Sequence, residues 1–123
     1  MDVLDHETLR SLRELQEDGD DDLLGELIDL FLADAPARID AIRDAVARQD
    51  WAALTAPAHS LKGSCGSLGA FPLAELCGRL EHCGRQDADR SHAAADCAEL
   101  DRQYRLVREA LLRERGARDS SRS

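Results

Sequence analysis

Trp51-Ala52-Ala53-Leu54-Thr55-Ala56-Pro57-Ala58-His59-Ser60-Leu61-Lys62-Gly63-Ser64-Cys65-Gly66-Ser67-Leu68 is the stretch that decides the fold. Its apolar residues Trp51, Leu54, Ala58, Leu61, Cys65 and Leu68 recur in alternating steps of three and four. That spacing is the seam of a helix packed in a bundle. Asp50 stands ahead of it as an N-cap, and Pro57 interrupts it two residues before His59. At about 100° per residue the stripe spans an arc of about 100°, and His59 lies roughly 130° from its centre, towards water. Gly66 falls within about 20° of His59, Gly63 within about 40°, and Lys62 about 60° away on the stripe side. The stem of Lys62 can therefore lie along the bundle while its ammonium reaches over the imidazole.

The same periodicity recurs on both sides. Upstream, Leu24, Leu27, Ile28, Phe31, Ala35, Ile39, Ile42 and Val46 mark a segment from about Asp21 to Gln49. Pro36 removes one helical hydrogen bond and crowds the carbonyl of Leu32, at a cost of ~3 kcal/mol. The stripe keeps phase across it, so the expectation is one long kinked helix. A short helix near Glu7 to Gln16 precedes it, begun by Asp5 or His6 and ended by Asp18-Gly19-Asp20. Downstream, Leu73, Leu76, Leu80 and Cys83 mark a helix from Phe71 or Pro72 to Gly84, with proline in its first turn and glycine at its stop. Ala93, Cys97, Leu100, Tyr104, Val107 and Leu111 mark another from about Asp89 to Arg115. The expected fold is all-α: an antiparallel four-helix bundle with a short extra N-terminal helix over residues 1–115, and a disordered tail over 116–123.

A chain of 123 residues fits one domain. It contains no apolar run long enough for a membrane span, and its acidic N-terminus is not followed by an apolar signal segment. A cytoplasmic protein is expected. The net charge is −9, with fifteen acids and five bases in the first fifty residues. Such a surface repels nucleic acid and anionic membranes. Cys65, Cys77, Cys83 and Cys97 form no C-x-x-C pair, and three of them fall on apolar stripes. They read as small buried hydrophobes, and no metal site is expected.

Lys62 is the only lysine. Two glycines on an exposed helix face each cost about 1 kcal/mol relative to alanine. On the histidine side of the helix they let another surface approach the ring. A solvent-facing neutral imidazole is a nucleophile near pH 7. It can hold a phosphoryl group, whose charge of about −1.5 to −2 a compact ammonium offsets.

The run His59-Ser60-Leu61-Lys62-Gly63-Ser64, followed by Leu68-Gly69-Ala70, resembles the signature of histidine-containing phosphotransfer domains of bacterial phosphorelays. Leu27 to Pro36 resembles that family's long second helix, and Leu76-Cys77 through Leu80-Glu81 to Gly84-Arg85 its fourth. The resemblance implies a phosphocarrier that moves a phosphoryl group between aspartates of receiver domains, with His59 as acceptor. It implies that Lys62, Gly63, Ser64 and Arg85 support the phosphate, that Glu81 orients the histidine, and that Gly66 lies in the docking face. The carrier needs no cofactor of its own; Mg²⁺ comes with the receiver. Pro57 is a departure from the usual pattern.

Three rivals compete with this reading. A sensor kinase would carry a nucleotide-binding domain and a Glu-Arg-Thr-Pro type of sequence after its histidine, and neither is present, so no self-phosphorylation is expected. A docking adaptor that carries no phosphate would be expected to lose His59 or Lys62. A metal-binding bundle would use His59, His82 and cysteines. The carrier is expected to be a monomer.

Overall fold

Asp5 caps the first helix, α1 (His6–Leu15), its carboxylate accepting from the Thr8 amide at 3.1 Å and the Thr8 hydroxyl at 2.6 Å. Asp22 caps α2 (Leu23–Ala47), accepting from the Gly25 amide at 3.1 Å. Both belong to a computed structural model that describes residues 3–15 and 22–121, without the side chains of the last five. The expected stop at Asp18-Gly19-Asp20 lies outside the described residues. α2 runs unbroken through Pro36, and Leu24, Ile28, Phe31, Ala35, Ile39 and Ile42 stay buried on one face across it.

The stretch that opens at Trp51 is not one helix. A single 3-10 turn, Trp51–Leu54, leads into α3 (Thr55–Ser67). Asp50 precedes the turn, but its side chain makes no capping bond. Pro57 thereby falls at the third position of α3, where a missing N–H leaves no intrahelical bond unmade. The departure from the family pattern is thus absorbed by a later helix start, and the turn carrying His59 is regular.

α3 closes in a Schellman motif. The Gly69 amide donates to Gly66 O at 3.2 Å and the Ala70 amide to Cys65 O at 2.9 Å. Gly69 has φ +75°, and a Cβ there would stand 2.9 Å from Thr8 Cβ and 3.1 Å from Asp5 Cβ. Its carbonyl accepts from the Asp5 amide at 2.8 Å, which ties α1 to the α3–α4 corner.

α4 (Phe71–Cys83) and α5 (Ala93–Ser121) complete the bundle. α5 starts later than Asp89, whose carboxylate instead accepts from the Ser91 amide at 2.9 Å within the connecting loop. It also runs past Arg115. Of the expected disordered tail, 116–121 is helical backbone and 122–123 lie outside the described residues. Arginine, alanine and glutamate at 113–118 are mostly good helix formers, so a helix already nucleated by packing propagates through them.

Neighbouring helices run antiparallel, as the pairs Asp29–Arg115 and Phe31–Tyr104 (α2, α5) and Thr55–Gly84 and His59–Glu81 (α3, α4) require. Leu24, Ile28, Leu61, Leu73, Leu80 and Leu100 are fully buried between them, and all four cysteines are buried too. Each such leucine contributes about 1.5–3 kcal/mol. Partly exposed interhelix ion pairs such as Arg43–Asp101, at 3.5 Å, contribute ~1 kcal/mol or less. The apolar seam is therefore what holds the fold. Among the described residues no helix is long and apolar enough to cross a membrane.

Candidate functional site

The antiparallel register of α3 and α4 builds the site one turn at a time. Thr55 lies against Gly84, His59 faces Glu81, and the stem of Lys62 passes Gly78. The stripe Leu54, Ala58, Leu61 and Cys65 is fully buried, so His59 is turned outward and its side chain is 70% exposed.

Glu81 bridges two residues of α3. Its Oε2 is 3.1 Å from His59 Nδ1, and its Oε1 is 2.9 Å from Lys62 Nζ. The lysine contact is an ion pair off the line of an ideal hydrogen bond, and among the described residues no other donor reaches Oε1. Lys62 holds the Glu81 carboxyl below its ordinary value; partial burial opposes this, and the His59 contact adds to it. A carboxylate at Nδ1 selects the tautomer in which Nδ1 carries the proton and donates it. Nε2 is then the ring nitrogen with a free lone pair.

The ground around the ring is open. A Cβ placed on Gly63 or Gly66 would meet nothing within 4 Å. These glycines therefore serve no close helix contact, and their side of α3 is bare.

His59, Lys62 and Glu81 are brought together; the Glu81–His59 contact is the one the resemblance implied, whereas the Lys62 ammonium, expected over the imidazole, pairs with the Glu81 carboxylate. Ser64 is not among them. Its hydroxyl donates to Ser60 O at 3.2 Å and it faces a shallow depression with Phe31 and Asp34, on the α2 side of α3. Five residues after His59, it points roughly 140° away from it. Arg85 is exposed, and its guanidinium makes no ion pair among the described residues. Glu81 takes Lys62 and His59 as partners instead. Two neighbours were missed in the sequence. Gly78 leaves the slot in which Lys62 crosses α4, a Cβ there standing 3.5 Å from Lys62 Cδ. A glycine one turn before Glu81 inside a helix was the available signal. Arg38 of α2 donates to Ser60 Oγ at 2.7 Å beside the histidine, and nothing in the spacing marked it.

Among the described residues no three His, Cys, Asp or Glu side chains gather as a metal site. His6, His82 and His92 are exposed. Contact with Cys77, and then burial, push the Cys65 thiol up and leave it inert.

A sequence model of the Hpt domain matches residues 26–110, which contain α3, α4 and the whole of the His59–Glu81–Lys62 cluster. The chain belongs to the Hpt domain family. Its fold is shared with a solved histidine-containing phosphotransfer protein. The crystal structure of histidine-containing phosphotransfer protein B (HptB) from Pseudomonas aeruginosa PAO1 superposes with a TM-score of 0.81 at 32% identity, covering 94% of this chain and 96% of that one. Histidine-containing phosphotransfer protein 2 of Arabidopsis thaliana is 33% identical over 75 residues, 58% of this chain and 48% of its own length. Protein 5 of the same plant is 27% identical over 104 residues, 81% of this chain and 65% of its length. The chain thus spans about half to two thirds of these curated relatives.

Proposed function

We propose that this Hpt domain relays a phosphoryl group through Nε2 of His59, between aspartates of receiver domains. The observation that carries the reading is the carboxylate of Glu81 on Nδ1 of an outward-facing ring. As Nε2 attacks phosphorus, the acyl phosphate's P–O bond breaks, an N–P bond forms, and the ring becomes cationic. The Nδ1–H donated to Glu81 steadies that charge. Lys62 lies where its ammonium can turn from Glu81 to the incoming phosphoryl oxygens. The bare face at Gly63 and Gly66 gives the receiver room to bring its aspartyl phosphate in line.

The receiver supplies Mg²⁺ and most of the charge neutralisation, and the domain has no kinase activity of its own. It works as a cytoplasmic monomer with no cofactor. Its acidic surface selects proteins over nucleic acid or membrane. Arg85, exposed and without an ion pair among the described residues, is available to the phosphate as a second cation, and Ser64 acts through its hydroxyl's bond to Ser60 O, which supports the helix that carries the ring.

The test mixes the protein with a phosphorylated receiver and Mg²⁺. Wild type is expected to take up acid-labile, base-stable label, and His59→Gln none. Label on His59→Gln equal to wild type overturns the proposal.

A further inference from the structure

Arg90, in the loop between α4 and α5, touches neither His59 nor Glu81, yet it joins the ends of the two helices that carry them. Its Nε donates to Cys83 O at 3.0 Å and its Nη2 to Arg85 O at 3.0 Å. Cys83 O lies in the last turn of α4, among the acceptors that a helix end leaves without an intrahelical partner, and Arg85 O, two residues beyond it, accepts also from the Ala88 amide at 3.3 Å. The same guanidinium lies over the Trp51 ring, 5.1 Å from its centroid. Trp51 opens the 3-10 turn that runs directly into α3, so its position fixes the start of the helix bearing His59.

The two helix ends meet closely beneath this side chain. A Cβ on Gly84 would stand 3.0 Å from the carbonyl oxygen of Trp51 and would strike the Thr55 hydroxyl. Thr55 is one turn before His59, and Gly84 is one turn after Glu81. The Thr55–Gly84 contact and the His59–Glu81 contact are therefore consecutive rungs of one antiparallel interface. A shift at the first is passed to the second by rigid helical turns.

We propose that Arg90 is a positioning residue for the reaction at His59: by clamping the end of α4 onto Trp51, it sets the distance between Glu81 and Nδ1 and so the tautomer that leaves Nε2 free. The role in transfer rests on His59 being the phosphoacceptor; the effect on the tautomer does not. A planar fork is suited to this work, because it binds two carbonyls and stacks on an aromatic face at once.

The test uses full-length wild type, Arg90→Ala and Arg90→Gln. Long-range ¹⁵N–¹H spectra of the imidazole groups report the His59 tautomer, and Trp51, the only tryptophan, reports the clamp by its fluorescence. Wild type is expected to show a protonated Nδ1 and a bare Nε2. In both variants Trp51 emission should shift, the His59 ¹⁵N resonances should move towards the tautomer mixture of a free imidazole, and transfer from a phosphorylated receiver should slow by about ten- to a hundredfold, as for a misplaced reacting group. Helical circular dichroism confirms that a variant is folded, and the glutamine variant, keeping one donor to a carbonyl, covers a failure of the alanine variant to fold. A folded variant whose His59 ¹⁵N shifts match wild type overturns the proposal, whatever its transfer rate. Wild type that shows the expected tautomer but accepts no phosphate overturns the relay reading and leaves the clamp standing.

Discussion

His59 Nδ1 and Glu81 Oε2 are 3.1 Å apart across the α3–α4 interface, with the histidine side chain 70% exposed and the glutamate side chain only 20%. One group is therefore free to react while its partner is fixed. The carboxylate's second oxygen lies 2.9 Å from Lys62, so a single acidic side chain organises both the outward-facing imidazole and the cation beside it.

Lys62→Ala should leave the fold intact, because the side chain is 42% exposed and its stem only brushes Gly78. Transfer should slow by about tenfold, less than the ~100–1000 lost with an enclosed oxyanion donor, since water screens an exposed charge. Single-turnover transfer from a labelled receiver measures it. A wild-type rate would remove Lys62 from the chemistry.

Glu81 should titrate below 4.5, the ordinary value for its carboxyl, because Lys62 and then His59 favour the charged form against partial burial. A depressed folded pKa gives stability that is fully present above the unfolded value and lost as pH falls through the folded one. The site is therefore expected to hold in full above pH 4.5, to weaken as pH falls below it, and to come apart only once pH passes the lower folded value of Glu81. The ¹³C shift of the Glu81 carboxyl followed against pH checks this, and in Lys62→Ala the midpoint should rise.

Gly66→Ala should raise stability by about 1 kcal/mol, since alanine is the better helix former and a Cβ there meets nothing within 4 Å. Gly63→Leu should fold equally well but weaken receiver binding, because its side chain fills the ground beside His59. Thermal melting with receiver titration separates the two effects. Unchanged affinity of Gly63→Leu would show that the receiver docks elsewhere.

Gly69→Ala should destabilise by about 1–2 kcal/mol or more, the cost of a left-handed conformation for a residue with a Cβ. The methyl would also press on Thr8 and Asp5, 2.9 and 3.1 Å away. Urea unfolding measures it.

The helices were legible because their burial is one-sided. The stripe from Leu54 to Leu68 faces the core as its spacing required, and the outward direction of His59 followed from it. Phase survives Pro36, and the continuity of α2 was readable for the same reason. Boundaries were less legible. The 3-10 turn at Trp51–Leu54 has the same apolar spacing as the helix it precedes, so only Pro57 hinted that α3 starts at Thr55. Within the site, residues sharing a helix face with His59 could be read from angle alone. Ser64 lies about 140° from His59 by that angle, and only the family signature placed it with the phosphate. Glu81 came from the resemblance rather than from spacing, because pairing across two helices depends on their register. Gly78, Arg38 and Arg90 act through that register too, and no periodicity within one helix reveals it.

The central claim is that the phosphoryl group resides on Nε2 of His59. Combined ³¹P and ¹⁵N spectra of the protein phosphorylated by a receiver, at alkaline pH where phosphohistidine persists, test it most directly. A phosphorus-coupled Nε2 on His59, with Nδ1 still protonated towards Glu81, is the expected result. Coupling to Nδ1, or to His6, His82 or His92 with His59 unmodified, would contradict it.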